Sequence, residues 1–305
     1  MTVLVTGGSG FLGHALVMRL LAEGESVIAT SRTTENQFAA RGMRWITLEA
    51  AAFKELAPVI AGVSKVYHLA WSTVPSTANL DPESDAADNI IGSLRLIEAM
   101  RDQPAKRLVF ISSGGTVYGR LRSVPATEDH PTQPIAAYGV SKLAVEHYLE
   151  VYRENFGLDY KILRFGNVFG PGQISKYAFG IIAAFCSKAV QGETSVIFGD
   201  GKMIRDYLYL DDAIDALLLA GQVATAHRIF NAGSGVGRSP VDIVVSIERA
   251  LGRKVPIRYE AGRSFDVPVS VLDIRLAQSE LGWQPRTSFD EGIARTLAAL
   301  KQRQS

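Results

Sequence analysis

The sequence has little cysteine, almost no net charge and no long apolar run. Its 305 residues include a single cysteine, Cys186, which excludes an intramolecular disulfide framework and a zinc site built from cysteines. The five histidines lie apart without metal-ligand spacing, so we expect no metal. A formal net charge of +1 argues against a general nucleic-acid binder and against a polybasic protein of the membrane surface.

No apolar run approaches the roughly 20 residues that a membrane helix needs. The first residues show neither a basic leader nor a long apolar core, so we expect no signal peptide. With 47% hydrophobic residues, the chain can bury a sizeable core. We therefore expect a globular protein of the cytoplasm without a nucleic-acid or membrane partner.

Short apolar segments alternate with helix-like segments through the first half of the chain. The segments predicted as strands are 3–5, 27–29, 45–48, 65–69, 107–111 and 160–163, and the clearest helices are 86–100 and 137–156. This alternation is typical of the α/β class, with a doubly wound parallel sheet covered by helices on both faces.

Glycines at 7, 10 and 13 lie between the first predicted strand and the first predicted helix. Gly7 permits a tight turn, Gly10 lets the backbone approach a pyrophosphate, and Gly13 lets the helix pack against the strand. The helix N-terminus then offers unpaired N–H groups to phosphates. The spacing in this context predicts a Rossmann-type dinucleotide-binding loop.

The end of the second predicted strand bears on the choice of dinucleotide. An acidic residue there accepts the ribose hydroxyls of NAD, whereas an arginine accommodates the 2′-phosphate of NADP. This chain has no acid there and carries Ser31 and Arg32, which could grip a phosphate. The pair favours NADP modestly, and NAD stays open.

Tyr138 and Lys142 lie one helical turn apart near the start of a predicted helix. A neighbouring lysine favours the phenolate, so we expect a lowered pKa for Tyr138 and proton exchange with a sugar hydroxyl. Ser112, Ser113 and Thr116 follow the fifth predicted strand, at the edge of a parallel sheet where ligand groups gather. We expect these hydroxyls to meet the cofactor and the substrate.

The second half of the chain has shorter predicted elements. The helices are 176–190, 211–220, 239–251, 274–281 and 289–301, the strands are 195–198 and 207–209, and 166–172 reads as a loop. We expect residues 1–165 to form a dinucleotide-binding domain. Residues 166–305 then form mainly a smaller substrate-binding lobe, with some segments returning to the first domain.

Taken together, these motifs resemble the extended short-chain dehydrogenase/reductase superfamily, and within it the nucleotide-sugar epimerase/dehydratase group typified by UDP-glucose 4-epimerase. The resemblance spans nearly the whole chain. It rests on the segments TGGSGFLG at 6–13, HLA at 68–70, Asn89, SSGGTVYG at 112–119, Tyr138 with Lys142, RFGNVFGPG at 164–172, GDG at 199–201, RDY at 205–207 and NAG at 231–233.

The resemblance implies roles for individual residues. Tyr138 is the acid/base, and Lys142 is its partner and can hold the nicotinamide ribose. The residues implied to bind the dinucleotide are Gly7, Gly10, Phe11, Leu12, Gly13, Leu69, Ala70 and Asn89. Those implied to bind a nucleotide-diphosphate sugar are Asn167, Arg205 and Arg263.

The sequence also departs from the group. Gly114 stands where a serine or threonine usually shares the substrate hydrogen bond with the tyrosine, so either Thr116 or Ser113 substitutes or Tyr138 acts with less help. No acid occurs at Gly115 or Thr116, where the dehydratases carry Asp-Glu, which argues against 4,6-dehydration. Ser270 occupies a position where small residues accompany acceptance of N-acetylated sugars.

Three functions follow as hypotheses. The first is a nucleotide-sugar 4-epimerase working through a transient 4-keto sugar, with polysaccharide assembly as the usual context of such enzymes. The second is an NADPH-dependent reductase of a 4-keto nucleotide sugar, suggested by Ser31 and Arg32. The third, suggested only by Gly114, is a dinucleotide sensor without activity. The resemblance further implies a homodimer formed through the helices near 86–101 and 137–156.

Overall fold

The central element is a seven-stranded, all-parallel sheet with the strand order β10-β6-β5-β4-β1-β2-β3. The computed structural model describes residues 1–32, 42–103, 106–173, 180–262 and 267–302. The strands in these ranges are β1 (Thr2–Thr6), β2 (Ser26–Ser31), β3 (Met43–Thr47), β4 (Lys65–His68), β5 (Arg107–Ser113), β6 (Tyr160–Phe165), β7 (Asn167–Phe169), β8 (Ser195–Phe198), β9 (Ile204–Tyr209), β10 (Ile229–Ala232), β11 (Gly237–Arg238), β12 (Ile257–Glu260) and β13 (Val269–Ser270).

Successive side chains of the central strands pack alternately into two separate apolar cores. In β1, Val3 and Val5 enter one core, whereas Leu4 enters the core on the opposite face. This alternation follows from the two-residue period of a strand. Because both faces are covered, six of the seven strands read as apolar segments that the sequence predicts, whereas β10 is not predicted from the sequence.

Helices cover both faces of this sheet. They are α1 (Phe11–Ala22), α2 (Ala57–Ala61), α3 (Pro75–Ala78), α4 (Pro82–Asp85), α5 (Gly92–Met100), α6 (Ala137–Phe156), α7 (Ile181–Gln191), α8 (Leu210–Gln222), α9 (Pro240–Leu251), α10 (Arg275–Leu281) and α11 (Phe289–Gln302). A 3-10 segment covers Ala50–Leu56. The helix predicted over 86–100 is a π-helical segment, Ala86–Ile91, continued by α5.

The second half of the chain builds two smaller sheets. In one, β9 lies between β11 and β13 and also pairs with β7, and in the other β8 pairs with β12. A third apolar core joins α7, α9 and α11 to these strands. The strand β10 comes from the second half yet forms an edge of the central sheet.

The prediction of a loop over 166–172 is wrong in its middle. Residues of β7 pair in parallel with β9, Asn167 opposite Tyr207 and Phe169 opposite Tyr209. The segment is short and flanked by Gly166 and Gly170. Its strand character therefore depends on a partner far along the chain, which local sequence does not reveal.

Among the described residues, no helix is long and apolar enough to span a membrane. In the same ranges, no group of three or more histidine, cysteine, aspartate or glutamate residues could hold a metal ion.

Candidate active site

The glycine loop joins β1 to α1 and permits very close backbone contacts. Gly7 has a φ of +74°, and a Cβ on it would lie 2.7 Å from the Ala70 amide nitrogen and 3.0 Å from the Leu69 carbonyl carbon. A Cβ on Gly13 would lie 2.1 Å from the Gly7 carbonyl oxygen. These positions therefore require glycine, and the loop lies directly against the backbone after β4.

The N-terminus of α1 carries no side-chain cap and no acidic residue. Gly10 is its N-cap, and Phe11, Leu12 and Gly13 form the first turn. Phe11 and Leu12 place their side chains against the core beneath the helix. The uncapped N–H groups and the positive end of the helix dipole suit a pyrophosphate.

The end of β2 lies beside the same loop. The Gly8 amide donates to the Thr30 carbonyl at 2.8 Å, and the hydroxyls of Ser9 and Ser31 are 2.7 Å apart. Ser31 is buried, whereas Arg32 is exposed. Ser31 thus contacts the glycine loop, whereas Arg32 is exposed to solvent.

Tyr138 and Lys142 lie on the first turns of α6 and contact the loop after β4. The Lys142 ammonium donates to the Ile111 carbonyl at 2.8 Å and lies 5.7 Å from the centre of the Tyr138 ring. The ammonium nitrogen also lies 3.5 Å from the centre of the Trp71 ring. Trp71 meets the Tyr138 ring edge-on at 5.9 Å.

Burial governs the protonation of this pair. It raises the pKa of Tyr138, and the nearby Asp85 carboxylate raises it further. Burial also holds the pKa of Lys142 well below its usual range, although Glu146 and Asp85 oppose that change. The expectation that Lys142 lowers the pKa of Tyr138 is therefore wrong for this structure, because desolvation of the phenolate and the Asp85 carboxylate both raise that pKa.

Within the described part of the chain, the hydroxyl of Thr116 has no hydrogen-bond partner. Its Oγ1 is buried without a hydrogen bond, while its amide donates to the Ser113 carbonyl at 3.1 Å. A Cβ on Gly139, the residue after Tyr138, would lie 2.8 Å from the Thr116 carbonyl oxygen. Thr116 is thus held beside the start of α6 with an unused hydroxyl.

Gly114 is covered by a leucine. A Cβ at this position would lie 2.7 Å from both methyl carbons of Leu272 and 3.2 Å from the Arg164 carbonyl oxygen. The side chain of Leu272 therefore fills the space that a serine or threonine at 114 would need.

Ser112 points to a different group from the one expected. Its hydroxyl donates to Glu146, which also forms a buried ion pair with Arg164 at 2.6 Å. Arg164 in turn donates to the hydroxyl of Tyr118 at 3.0 Å. The Ser112 hydroxyl is therefore used within the protein core, whereas Ser113 is only partly buried at the end of β5.

Asn89 organises the segment after β4. Its side-chain oxygen accepts from the Ser72 amide at 2.8 Å, and its nitrogen donates to Asp85 at 2.9 Å. Asp85 is fully buried and also accepts from Thr73 and, at 2.5 Å, from Ser141. This network ties the segment to α6 beside Lys142.

Sequence reasoning missed Asp85 and Trp71. Asp85 lies one helical turn before Asn89, a spacing that puts both side chains on one face and could have drawn attention to it. Trp71 directly follows the HLA motif. The histidine of that motif, His68, bonds Thr6 at 2.7 Å and Ser93 at 2.8 Å, and burial lowers its pKa to about 3, with Lys142 adding to the effect.

The residues expected to bind the substrate lie on the smaller sheet. Asn167 on β7 is exposed and donates to the Asp206 carbonyl at 3.2 Å. Arg205 on β9 pairs in register with the buried Ser270 on β13. Arg263 lies outside the described residues. The structure thus places Arg205 and Ser270 side by side.

Asp206 connects the substrate-side strand β9 to the loop after β10. Its buried carboxylate accepts from the Ser234 amide at 2.6 Å, the Gly235 amide at 3.1 Å and the Leu272 amide at 3.3 Å. A Cβ on Gly233 would lie 2.3 Å from one of its oxygens. Asp206 therefore shapes the loop after β10.

Comparison with known proteins decides the family. Residues 3–233 match the NAD dependent epimerase/dehydratase family. The chain belongs to this family. It is 36% identical over 305 residues to the UDP-glucose 4-epimerase of Mycolicibacterium smegmatis, with 97% of each chain covered. It is 27% identical over 308 residues to the dTDP-4-dehydro-6-deoxyglucose reductase of Escherichia coli, covering 98% of this chain and 97% of that one.

Solved structures of similar fold also include epimerases. The UDP-glucose 4-epimerase of Thermotoga maritima with UDP-glucose superposes with a TM-score of 0.94 at 33% identity, over 100% of both chains. The UDP-glucose 4-epimerase of Thermus thermophilus in complex with NAD gives 0.91 at 31% identity, over 99% of both. These findings confirm the epimerase/dehydratase resemblance, the Rossmann-type fold and the prediction of an NAD(P)-dependent nucleotide-sugar epimerase or reductase.

The residues present fit a dinucleotide in this epimerase-family fold. Gly7 and Gly13 leave a cradle that side chains would fill, and the first turn of α1 has uncapped N–H groups. The Thr116 hydroxyl, which has no described partner, comes shortly after the end of β5. The Tyr138–Lys142 pair lies on the first turns of α6.

Proposed function

We propose that this chain is a nucleotide-sugar 4-epimerase acting on a UDP-hexose or a UDP-N-acetylhexosamine. The observation that carries the proposal is the pair of half-buried Tyr138 and buried Lys142 beside the unpartnered Thr116 hydroxyl, without an acid at Gly115 or Thr116. Such a site can move a proton to and from a sugar hydroxyl but lacks the groups that remove water.

The protein's own residues would hold the dinucleotide and move the proton. The glycine loop and α1 bind the pyrophosphate, with Ser31 at the ribose and Lys142 at the nicotinamide ribose. When bound, the positively charged nicotinamide ring supplies a reversible hydride acceptor and a field that favours the phenolate.

Tyr138 would take the proton from the hydroxyl on sugar carbon 4 and later return it. Because burial raises the pKa of Tyr138, the phenolate depends on nearby positive charge, including Lys142. Thr116 donates a hydrogen bond to the same sugar oxygen, in place of the hydroxyl missing at Gly114. Because Tyr138 returns the proton that it takes, and a bound dinucleotide would act reversibly, the sugar would undergo no net oxidation.

The substrate's diphosphate would be bound by Arg205, with Asn167 on the neighbouring strand β7. The UDP nucleotide is supported by the UDP-glucose 4-epimerases to which the chain is similar. Ser270 pairs in register with Arg205, and its small side chain would leave room for a 2-acetamido group. We expect Ser270→Tyr to lose activity on UDP-N-acetylgalactosamine while keeping activity on UDP-galactose, and equal loss on both would contradict this role.

The decisive experiment has two steps. The purified protein is denatured and any released dinucleotide is identified by chromatography. The native protein is then incubated with UDP-galactose and with UDP-N-acetylgalactosamine, and epimers are followed by NMR. Retained NAD and epimer formation without cofactor consumption support the proposal. A protein that converts neither sugar and releases no dinucleotide contradicts it.

The second candidate is an NADPH-dependent reductase of a 4-keto nucleotide sugar. It is favoured by Ser31 and the exposed Arg32 beside the glycine loop, and by the similarity to the Escherichia coli reductase. A reductase consumes NADPH in proportion to product, which absorbance at 340 nm measures directly.

We further propose that residues 1–165 bind the dinucleotide and that most of residues 166–305 bind the sugar nucleotide. We also propose that the protein is a homodimer in the cytoplasm. A cytoplasmic site fits the nucleotide sugars and dinucleotides used. The dimer is supported by an exposed apolar stripe on α6, formed by Val140, Tyr148 and Val151.

The oligomeric state can be tested on that stripe. We expect Val151→Glu to convert a dimer to a monomer in light scattering. Val245→Glu, which changes an equally exposed valine on α9, should leave the dimer intact. A wild-type protein that is monomeric at micromolar concentration would contradict the dimer.

A further inference from the structure

We propose that Trp71 is a positioning residue for the reaction, whose indole ring holds the ammonium group of Lys142 and the ring of Tyr138 in their working arrangement. The inference rests on the proposed role of Lys142 at the nicotinamide ribose. Neither the glycine loop nor the Tyr138–Lys142 motif contains Trp71, and sequence reasoning gave it no function.

The contacts of Trp71 with the catalytic pair are close. The Lys142 nitrogen lies 3.5 Å from the centre of the Trp71 ring, which is nearer than its 4.9 Å separation from Phe110 or its 5.7 Å from Tyr138. Indole offers the most favourable ring face for a cation. The Trp71 ring also meets Tyr138 edge-on at 5.9 Å and Phe110 at 6.1 Å. A single side chain therefore contacts both members of the pair.

Lys142 needs such support because its position is almost dry. The side chain is 3% exposed, and its hydrogen bond to the Ile111 carbonyl uses one of three ammonium donors. The ring face of Trp71 stabilises charge without accepting a conventional hydrogen bond. The remaining donors stay available for the hydroxyls of a ribose.

The backbone of Trp71 is also fixed from its other side. Asn89 binds the amide of Ser72, the next residue, and Asp85 binds the hydroxyl of Thr73. Trp71 Nε1 is buried and has no hydrogen-bond partner among the residues that the structure describes. A buried indole N–H is normally satisfied, so packing against Lys142 and Tyr138, rather than hydrogen bonding, determines the position of this ring.

The charge on Lys142 is set by a small group of neighbours. Glu146 and Tyr138 face it from α6 and Asp85 from α4, while His68 on β4 is neutral because burial lowers its pKa to about 3. Trp71→Leu keeps an apolar side chain over Lys142 and removes the ring face that stabilises the ammonium, while these neighbouring groups stay in place. The pKa of Lys142 should then fall.

The test follows Lys142 by NMR in protein labelled with lysine carrying ¹³C at the ε carbon. Its signal is assigned by its loss in Lys142→Arg. In the wild type we expect an upfield ring-current shift and, in Trp71→Leu, loss of that shift with a lower pKa. Trp71→Phe keeps an aromatic ring, so the pKa of Lys142 should lie between those of the wild type and Trp71→Leu. This variant still tests the proposal if Trp71→Leu does not fold.

A matched control changes a different aromatic ring that contacts a cation. This ring, Phe156, lies on α6, the helix that also carries Lys142. The Arg101 guanidinium lies 4.9 Å from the centre of the Phe156 ring, at the far end of α6. Phe156→Leu should leave the Lys142 signal and its titration unchanged. A Lys142 signal that titrates identically in wild type, Trp71→Phe and Trp71→Leu overturns the proposal.

Turnover gives a second readout. With UDP-galactose as the probe, kcat should fall in the order tryptophan, phenylalanine, leucine, while KM changes less than threefold. An equal rise of KM in both variants, with kcat unchanged, would assign Trp71 to binding instead and overturn the positioning role. Because the NMR arm needs no turnover, failure of the proposed function would not be mistaken for failure of this inference.

Discussion

Thr116→Val should separate activity from stability, because the hydroxyl that it removes has no partner in the protein. Thr116 Oγ1 is buried without a hydrogen bond. An unpaired buried hydroxyl costs about 1–3 kcal/mol, and valine has nearly the same shape without that group. We therefore expect the free energy of unfolding to stay the same or to rise by about 1 kcal/mol.

Activity should change in the opposite direction. If Thr116 donates to the oxygen on sugar carbon 4, its loss removes one hydrogen bond from the transition state. Removal of one such donor typically lowers kcat by about 10²–10³, or about 2.7–4 kcal/mol. Thr116→Ser keeps the hydroxyl and should keep kcat within about tenfold of the wild type.

The assays are thermal unfolding and epimerisation of UDP-galactose. Tyr67→Phe is a suitable control, since its hydroxyl is also buried without a partner but lies against Gly221 in α8. It should be as stable as the wild type and equally active. An unchanged kcat in Thr116→Val would refute the catalytic role, and a large loss of stability would refute the view that its hydroxyl is unused.

Other substitutions test the framework of the site. Glu146→Gln leaves the guanidinium of Arg164 buried without its ion pair, so the free energy of unfolding in urea should fall by about 3–5 kcal/mol; a change below 1 kcal/mol would be inconsistent with the burial. Gly7→Ala forces a Cβ to within 2.7 Å of the Ala70 amide nitrogen at a positive φ, so calorimetry should detect no NAD binding. His68 is neutral when folded, with a pKa of about 3, but charges near pH 6.5 when unfolded. Stability should therefore fall from pH 6.5 toward 3, with up to about 1.4 kcal/mol per pH unit from this group, and His68→Gln should flatten that slope in acid unfolding.

Local patterns predicted the parts of the site that are close together in sequence. Apolar runs predicted the central strands because those strands are buried on both faces. Glycine spacing predicted the loop before α1, and one-turn spacing predicted that Tyr138 and Lys142 share a helix face. Each of these features is determined within a few residues.

Features that depend on distant partners could not be predicted. Asp85 acts through Ser141 on α6, and the Ser112 hydroxyl is bound by Glu146 rather than facing a ligand. The strand β7 exists because of β9. The pKa of Tyr138 was expected to fall because a lysine is near in sequence, yet it rises because burial is a property of the whole fold.

The leucine over Gly114 links two sites in the evolution of this chain. Regaining the serine hydroxyl that the resemblance leads one to expect at 114 would place a Cβ 2.7 Å from the methyl groups of Leu272. That single change is therefore disfavoured until position 272 becomes smaller, and a smaller residue at 272 leaves a cavity until 114 is filled. Each change is destabilising alone, so positions 114 and 272 are coupled and the two residues would have to change together.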